Sequence, residues 1–338
     1  MDRRILIPPQ LAGLPARLPV GKLLEVTGNA MGTSWAVKWV DEGSVNPQKV
    51  TTLVAHAIEA VVTEMSTWQA DSCISRFNSG LAGSSHHLPA HFSHVLECAL
   101  EIASDTDGAF DPTIGPLVNL WGFGPDAVRA NLPPQALIFA AKALCGWHRL
   151  ELKDNKIKQP GGFYLDFSGI AKGYSVDLIA ADLRDAGVNN FLVEVGGELS
   201  GFGIKPDGQP WWVALENPMS SLDGVQTIAA LHGLAIATSG DYRRYFDYEG
   251  TRYSHTIDPR TGSPVLASCV VTVLHSSCMR ADAIATALMV MGVSAGLDYA
   301  ARRGIAVLFT QLEVTQLEDA KPVQYASPAL LAMAEGAA

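Results

Sequence analysis

The hydrophobic and polar positions of this chain follow two periodicities, one typical of strands and one typical of helices. Near the N-terminus, "LLEVTGNAMGTSWAVKWV" alternates and is rich in β-branched and aromatic residues, which predicts two strands separated by a turn near Gly28 or Gly32. Apolar residues recur at helical spacing in several later segments. They predict helices over residues 46–65, 93–104, 134–145, 170–186 and 279–292.

Short strands are predicted between and after these helices. "RLELKDNKIKQ" predicts a hairpin that turns at Asp154-Asn155. Six further strands are predicted, at "FLVEVG", "WWVALE", "GLAIATSG", "RYSHTIDP", "SCVVTVLH" and "IAVLFT". Helices and strands are intermixed without the regular alternation of a doubly wound sheet, which favours an α+β fold.

The predicted elements occupy most of the chain. Residues 1–22 are rich in proline and are predicted to form an extended N-terminal leader. Residues 23–325 contain no linker or internal repeat, so we expect a single domain there. Residues 326–338 are expected to be a C-terminal tail, either frayed or packed as a short helix.

Composition limits the classes of partner. The 338-residue chain is 48% hydrophobic, which is typical of a globular protein with a large core. Its formal net charge of -10 argues against nucleic acid, which binds to basic surfaces. Because charges, glycines or prolines interrupt every long apolar stretch, no transmembrane segment is predicted. We expect a cytoplasmic protein, or a periplasmic one if an export signal has been removed.

The cysteines predict neither a disulfide framework nor a zinc site. Their number, five, is odd, and none forms a C-x-x-C pair. We therefore expect buried free thiols. Familiar phosphate-binding motifs are absent from the sequence as well, because it contains neither G-x-x-x-x-G-K-[ST] nor G-x-G-x-x-G between a strand and a helix.

The predicted helix over 279–292 contains an acidic residue in an otherwise apolar sequence. Residues four apart lie on the same helix face, so the oxygens of Asp282 and Thr286 converge. Two interpretations fit this pair. Asp282 could complement the helix dipole while Thr286 bonds to a backbone carbonyl, or both could bind a hard cation such as Mg²⁺.

Other candidate residues also have a structural and a functional interpretation. Asp166 and Lys172 could form an ion pair, but a lysine beside a helix start also suits a phosphate. Trp68 could be a core or rim aromatic, or it could stack on a ligand. Asp111 could cap a turn before Pro112. The glycine-rich "VGGELSGFG" could be a turn or a place where a ligand approaches the backbone.

His255 also has two interpretations, since a lone histidine is more often structural than catalytic but could transfer a proton here. It follows a short predicted strand and precedes Asp258-Pro259, where a side chain can project into a cleft. The unperturbed pKa of histidine, about 6.5, suits proton transfer near neutral pH.

Eight ordered segments together resemble the ApbE family of flavin transferases, the FAD:protein FMN transferases. They span about residues 25–310 and are "MGTSW", "MSTWQADSCISRFN", "AFDPTIGPLVNLWGFG", "LDFSGIAKGYSVD", "VEVGGELSGFG", "ATSGDYRRYF", "SHTIDPRTGSPV" and "ADAIATALMVMG". The resemblance implies a single α+β domain with a mixed or antiparallel sheet and flanking helices. It also implies Mg²⁺-dependent transfer of FMN from FAD, the substrate, to a threonine of an acceptor protein.

The resemblance further implies roles for individual residues. Asp282 and Thr286 would bind Mg²⁺, with Mn²⁺ as an alternative, together with the main-chain carbonyls of Gly169 and Ala285. His255 would be the base that deprotonates the acceptor threonine. Trp68 takes the place of an aromatic that lies against the isoalloxazine. The other positions implied to contact FAD are Met31, Ala109, Phe110, Asp111, Asp166, Lys172 and Thr256.

Two other functions compete with the transferase. An FAD pyrophosphatase would release FMN and AMP, and a carrier would bind FAD without catalysis. The presence of His255, Asp282 and Thr286 argues against a pure carrier. Many family members are exported lipoproteins with a cysteine just after the signal peptide, whereas the first cysteine here is Cys73.

Overall fold

The computed structural model of the chain describes residues 3–8, 17–43, 45–125, 131–216, 226–241, 244–266, 269–314 and 320–335. Its helices are α1 (Pro47–Met65), α2 (Cys73–Asn78), α3 (Ala90–Asp105), α4 (Gly115–Leu120), α5 (Gln135–Ala143), α6 (Ala171–Asp185), α7 (Cys278–Arg303) and α8 (Pro328–Glu335).

The strands are short and are distributed along the whole chain. In order they are β1 (Arg3–Leu6), β2 (Lys22–Ala30), β3 (Thr33–Asp41), β4 (Ser85–His87), β5 (Leu152–Lys153), β6 (Lys156–Lys158), β7 (Phe191–Val195), β8 (Glu198–Phe202), β9 (Trp211–Ala214), β10 (Gln226–Leu231), β11 (Leu234–Gly240), β12 (Tyr245–Tyr248), β13 (Thr251–Ser254), β14 (Ile257–Asp258), β15 (Ser263–Pro264), β16 (Cys269–His275), β17 (Ala306–Val314) and β18 (Ala320–Ala326).

An eight-stranded sheet forms the centre of the molecule. Its strand order is β18-β17-β16-β11-β8-β7-β3-β2, and each neighbouring pair is antiparallel. Residues Cys269–Leu274 of β16 are all buried, because this central strand is covered on both faces. α7 packs against β11 and β16, and α6 packs against α7 and α1. These contacts bring the starts of α6 and α7 together beside the sheet.

The two chain ends meet at a second, three-stranded sheet. β1 pairs in parallel with β10, which pairs antiparallel with β9. Leu6 and Leu330 are fully buried in one hydrophobic cluster, and the Ile7 amide donates to the Met333 carbonyl at 3.0 Å. Part of the expected leader and part of the expected tail therefore pack against the domain, and the boundaries at 22 and 325 stay predictions.

The α+β prediction is confirmed, with an antiparallel main sheet and one parallel pair elsewhere. Helices lie at all five predicted segments, and the turn between β2 and β3 falls at Met31-Gly32. Asp154 and Asn155 have φ of 50° and 54°, as a tight hairpin turn requires. The C-terminal tail forms the packed helix α8, which was one of the two expected states.

Several short elements were not predicted. α2 and α4 have six residues each, too few to display helical periodicity. β10 is rich in alanine, which has low strand propensity. β18 contains Pro322, which a sequence pattern treats as a strand breaker but which is tolerated here because β18 is an edge strand.

α7 is longer than predicted but is interrupted where the prediction ended. The helix continues to Arg303, and Gly292 within it has non-helical φ and ψ of 77° and 172°. Of the helices in the described ranges, only α7 is long and apolar enough to cross a membrane, and over half of its most apolar stretch is buried inside the protein.

All five cysteines are free. Cys98, Cys269 and Cys278 are buried as expected, whereas Cys73 and Cys145 are only half-buried because they lie in or beside short surface helices.

Candidate active site

One cavity of about 400 Å³ contains most of the predicted site residues. It lies where the start of β3 and the ends of β7 and β11 approach the start of α6 and the first half of α7. Ten predicted residues line it: Ala109, Phe110, Asp111, Asp166, Gly169, Lys172, His255, Thr256, Asp282 and Thr286. These ten residues come from four segments far apart in sequence, which therefore meet at one place.

Asp282, Thr286 and Gly169 form an oxygen-rich corner of this cavity. Asp282 and Thr286 lie one turn apart on α7 and both line the cavity, as their spacing predicts. A Cβ atom at Gly169 would lie 2.8 Å from Thr286 Oγ1, so the backbone of Gly169 passes directly beside this hydroxyl. The Thr286 hydroxyl also lies 3.4 Å from Ser239 Oγ. A larger residue at 169 would force the Thr286 side chain to shift.

The carboxylate of Asp282 is almost completely buried and is held by the start of α6. Its Oδ2 accepts a hydrogen bond from the Gly173 amide at 3.0 Å. Burial raises the pKa of Asp282, and the nearby Lys172 ammonium and the Gly173 hydrogen bond oppose this shift only in part. A cation at the carboxylate would offset the cost of desolvating its charge.

Lys172 forms an ion pair with Glu198, at the start of β8. The phosphate interpretation of Lys172 stays a prediction. Asp166 accepts a hydrogen bond from the Ser168 amide at 2.7 Å and so shapes the loop before α6. The turn between β7 and β8 brings the Glu198 carboxylate to Lys172, a partner that the sequence does not single out.

His255 is half-buried and is held in one tautomer. Its Nδ1 lies 3.0 Å from the Arg244 carbonyl, which can only accept, so Nδ1 carries the proton. The lone pair of the neutral ring is then on Nε2. Burial lowers the pKa of His255, and the positive charges of Arg244 and Lys172 lower it further. The ring is consequently neutral at pH 7, as a general base must be.

Phe110 and Asp111 also line the cavity. Asp111 Oδ1 accepts from the Thr113 amide at 2.8 Å and from the Thr113 hydroxyl at 2.7 Å. Asp111 thus caps the turn before α4, as one interpretation predicted, and it lines the cavity at the same time. Burial raises the pKa of its carboxyl, with the Thr113 hydrogen bonds opposing.

Trp68, Met31 and Ala285 lie outside the cavity lining. Trp68 is 63% exposed, which makes it a rim residue, and its ring centroid lies 6.0 Å from the guanidinium carbon of Arg244. Arg244 itself lines the cavity and lies 5.9 Å from the Phe123 ring centroid. Met31 adjoins the cavity residue Gly32, with a φ of 50°. Ala285 is fully buried, and it lies between Asp282 and Thr286 in the sequence.

Sequence reasoning missed several residues of the cavity. Arg244, Phe123, Glu198 and Ser239 all lie within the resembling motifs, so their segments were identified without their side chains. Glu198 follows the glycines of "VGGELSGFG", of which Gly196 has a φ of 61° and lines the cavity. Gly196 therefore forms a turn, and its approach to a ligand stays a prediction.

The oxygen-rich corner has the donor set of a hard cation. Mg²⁺ prefers one or two carboxylates together with other oxygens. Asp282 supplies a buried carboxylate and Thr286 a hydroxyl, and the backbone of Gly169 passes beside that hydroxyl. Across the described ranges no group of three His, Cys, Asp or Glu side chains is placed to hold a metal ion.

Comparison with known proteins assigns the chain to a family. The family model described as "ApbE family" matches residues 31–309. The chain belongs to the ApbE family. An FAD:protein FMN transferase of Vibrio cholerae is 41% identical over 288 residues, which are 84% of this chain and 86% of the relative. The FAD:protein FMN transferase of Salmonella typhimurium is 37% identical over 301 residues, 87% of this chain and 85% of the relative.

ApbE proteins of known structure share the fold. The crystal structure of Pseudomonas stutzeri flavinyl transferase ApbE, in its apo form, superposes with a TM-score of 0.85 at 38% identity. The match covers 92% of this chain and 96% of that one. The flavin transferase ApbE from Vibrio cholerae superposes with a TM-score of 0.83 at 37% identity. The family resemblance of the eight motifs is thus confirmed along nearly the whole chain.

Proposed function

We infer that this ApbE-family protein is an FAD:protein FMN transferase, which moves FMN from FAD to a threonine of an acceptor protein and releases AMP. One observation carries the inference. In a chain whose relatives are named for this activity, a neutral histidine and a buried carboxylate on a different element line the same cavity. A base and a cation-binding corner are the two parts that the reaction needs.

We propose that His255 acts as the base. Its Nε2 would take the proton of the threonine hydroxyl while the hydroxyl oxygen attacks the phosphorus atom of the FMN half of FAD. The new P–O bond forms as the P–O bond to the AMP half breaks, and AMP leaves with its phosphate. The nucleophile is weak at its free pKa, so a neutral imidazole at neutral pH contributes directly to the rate.

We propose Mg²⁺ as the cation, with Mn²⁺ as the alternative, bound by Asp282, Thr286 and the carbonyls of Gly169 and Ala285. When bound, the cation would neutralise the charge that develops on the pyrophosphate. Lys172 would contribute a second positive charge on the same side. Asp166, Asp111, Phe110, Ala109, Thr256 and Met31 would then orient FAD, and Trp68 would lie against the isoalloxazine at the rim.

A pyrophosphatase would use the same groups, with water in place of threonine. The names of the relatives favour the transferase. A cytoplasmic location, or a periplasmic one after removal of an export signal, stays a prediction.

Intact mass spectrometry tests the proposed function. The full chain is incubated with FAD, Mg²⁺ and an acceptor protein, with a Thr→Ala acceptor as the matched control. We expect the acceptor to gain the mass of an FMN phosphoester and the control to gain nothing. Release of free FMN and AMP with no gain of mass would select the pyrophosphatase, and intact FAD would select the carrier.

A further inference from the structure

The interruption of α7 leaves backbone groups that need partners outside the helix. A helix that is broken exposes the carbonyls of its last turn, because the amides that would bond to them are displaced. The break at Gly292 affects the turn that contains Val290. The carbonyl of Val290 accepts a hydrogen bond from Arg260 Nη2 at 3.1 Å. The side chain of Arg260 therefore caps the first half of α7.

Arg260 is at the same time fixed to its own loop by a bidentate ion pair. Its Nε donates to Asp258 Oδ1 at 2.9 Å, and its Nη2 donates to Asp258 Oδ2 at 3.0 Å. The backbone amide of Arg260 also donates to Asp258 Oδ1 at 2.8 Å. A planar guanidinium can bind both carboxylate oxygens and a third acceptor, whereas a lysine ammonium cannot reproduce this arrangement.

The two segments joined by Arg260 carry the two halves of the candidate site. His255 and Thr256 lie just before Asp258 on the loop, and Asp282 and Thr286 lie on the part of α7 that ends near Val290. A second contact follows the same path, from Thr256 Oγ1 to Met289 Sδ at 3.5 Å. Movement of the loop relative to the helix would change the distance between the base and the cation-binding corner.

We propose that Arg260 is a positioning residue that holds the His255 loop against the helix of Asp282 and Thr286. The catalytic consequence of this proposal rests on the proposed function. The link that Arg260 forms between the loop and the helix does not depend on that function. Arg260 itself lies outside the cavity lining, so it would act through the loop and not by direct contact with FAD. Its loss should therefore slow the chemical step and leave FAD affinity nearly unchanged, because small errors in the placement of a reacting group are costly.

Arg260→Gln tests the proposal, with Arg260→Lys as the conservative variant. Arg303→Gln is the matched control, because Arg303 forms an ion pair with Asp105 on another element. The side chains of Arg303 and Arg260 are also equally exposed, at 50% and 49%. We expect kcat for FMN transfer to fall at least tenfold in Arg260→Gln, with less than a twofold change in the Kd for FAD. The kcat of Arg260→Lys should lie between the values of Arg260→Gln and the wild type.

Hydrogen exchange measured by mass spectrometry provides a readout that needs no activity. Arg260→Gln should accelerate exchange both in residues 255–262 and in residues 286–291, and Arg303→Gln should accelerate neither. Normal kcat, or unchanged exchange in either segment, would overturn the proposal. If the wild type transfers no FMN but the two segments still loosen together, the proposed function fails and the structural link stands.

Discussion

The tautomer of His255 depends on a single backbone carbonyl. Arg244 accepts from both the amide of His255, at 3.1 Å, and its ring Nδ1, at 3.0 Å. The same residue extends its guanidinium to the rim beside Trp68 and Phe123. The rim and the candidate base are thus connected through one residue, which the sequence does not single out.

His255→Ala should slow FMN transfer by about 10²–10⁴-fold, the usual contribution of a general base, with little change in FAD binding. His87→Ala, at an exposed histidine on β4, is the control and should have the wild-type rate. The rate should be read from single-turnover transfer and the binding from flavin fluorescence. Equal rates in the two variants would remove His255 from the mechanism.

The pH profile of the wild type should follow the lowered pKa of His255. A lowered pKa means that the ring is still neutral somewhat below pH 6.5, so transfer should be constant above neutral pH. As pH falls through the pKa of the folded protein, the ring gains a proton and loses its lone pair, and the rate should decline. An inflection above pH 6.5, or the same acidic limb in His255→Ala, would contradict this assignment.

Asp282→Asn should abolish the response of transfer to Mg²⁺ over the millimolar range. The amide has nearly the shape of the carboxylate but lacks its charge, which is the main attraction for a hard cation. Asp298→Asn, an exposed position on the same helix, should behave as the wild type. Titration with Mn²⁺ followed by electron paramagnetic resonance checks binding without activity, and equal Mn²⁺ affinity in both variants would show that the metal assignment is wrong.

At the scale of elements, the start of α7 is held by a side chain from α6. Asp177 accepts from the Ser277 hydroxyl at 2.7 Å and from the amides of Cys278 and Met279 at 2.8 and 3.0 Å. These amides are among the helix-end donors that lack partners within the helix. α6 and α7 are therefore fixed to each other close to Asp282, where the Gly173 amide adds a further bond.

Asp177→Ala should lower the free energy of unfolding by roughly 1–3 kcal/mol, because buried helix-end donors lose their acceptor. It should also weaken Mn²⁺ binding, since Asp282 follows in the next turn. Asp185→Ala, at an exposed position at the end of α6, is the control and should change stability by less than about 0.5 kcal/mol. Urea unfolding followed by circular dichroism measures the free energy of unfolding of the two variants. Equal values would refute the capping role of Asp177.

At the scale of the whole molecule, segments near the two chain ends pack together against the main sheet, away from the cavity. The hydrophobic cluster there contains Leu6 from β1 and Leu330 from α8, together with residues of β11, β16 and β17 such as Ile236 and Leu308. None of the members of this cluster lines the cavity. Stability and catalysis should therefore be separable at this end of the protein.

Leu6→Ala should lower the free energy of unfolding by about 2–5 kcal/mol, the usual cost of truncating a fully buried leucine. FMN transfer per folded molecule should be unchanged. Val20→Ala is the control, because Val20 is 84% exposed. Thermal unfolding of both variants checks the result. If Leu6→Ala were as stable as the control, residues 1–22 would behave as a separate leader.

The sequence by itself determined the helical and strand periods, the α+β class and the family. These features depend on local patterns and on short ordered motifs, such as the four-residue spacing of Asp282 and Thr286. It also indicated His255, because this side chain lies between a strand and an Asp-Pro turn, within a segment that resembles the family.

Only the tertiary structure decided which groups meet. Lys172 pairs with Glu198, because the β7–β8 turn brings that carboxylate to the start of α6. Three features of the site depend on contacts between residues that lie 11 to 109 positions apart in the sequence. They are the tautomer of His255, the raised pKa of Asp282 and the link from Arg260 to Val290. Burial and hydrogen bonding across such separations depend on packing, which no local pattern encodes.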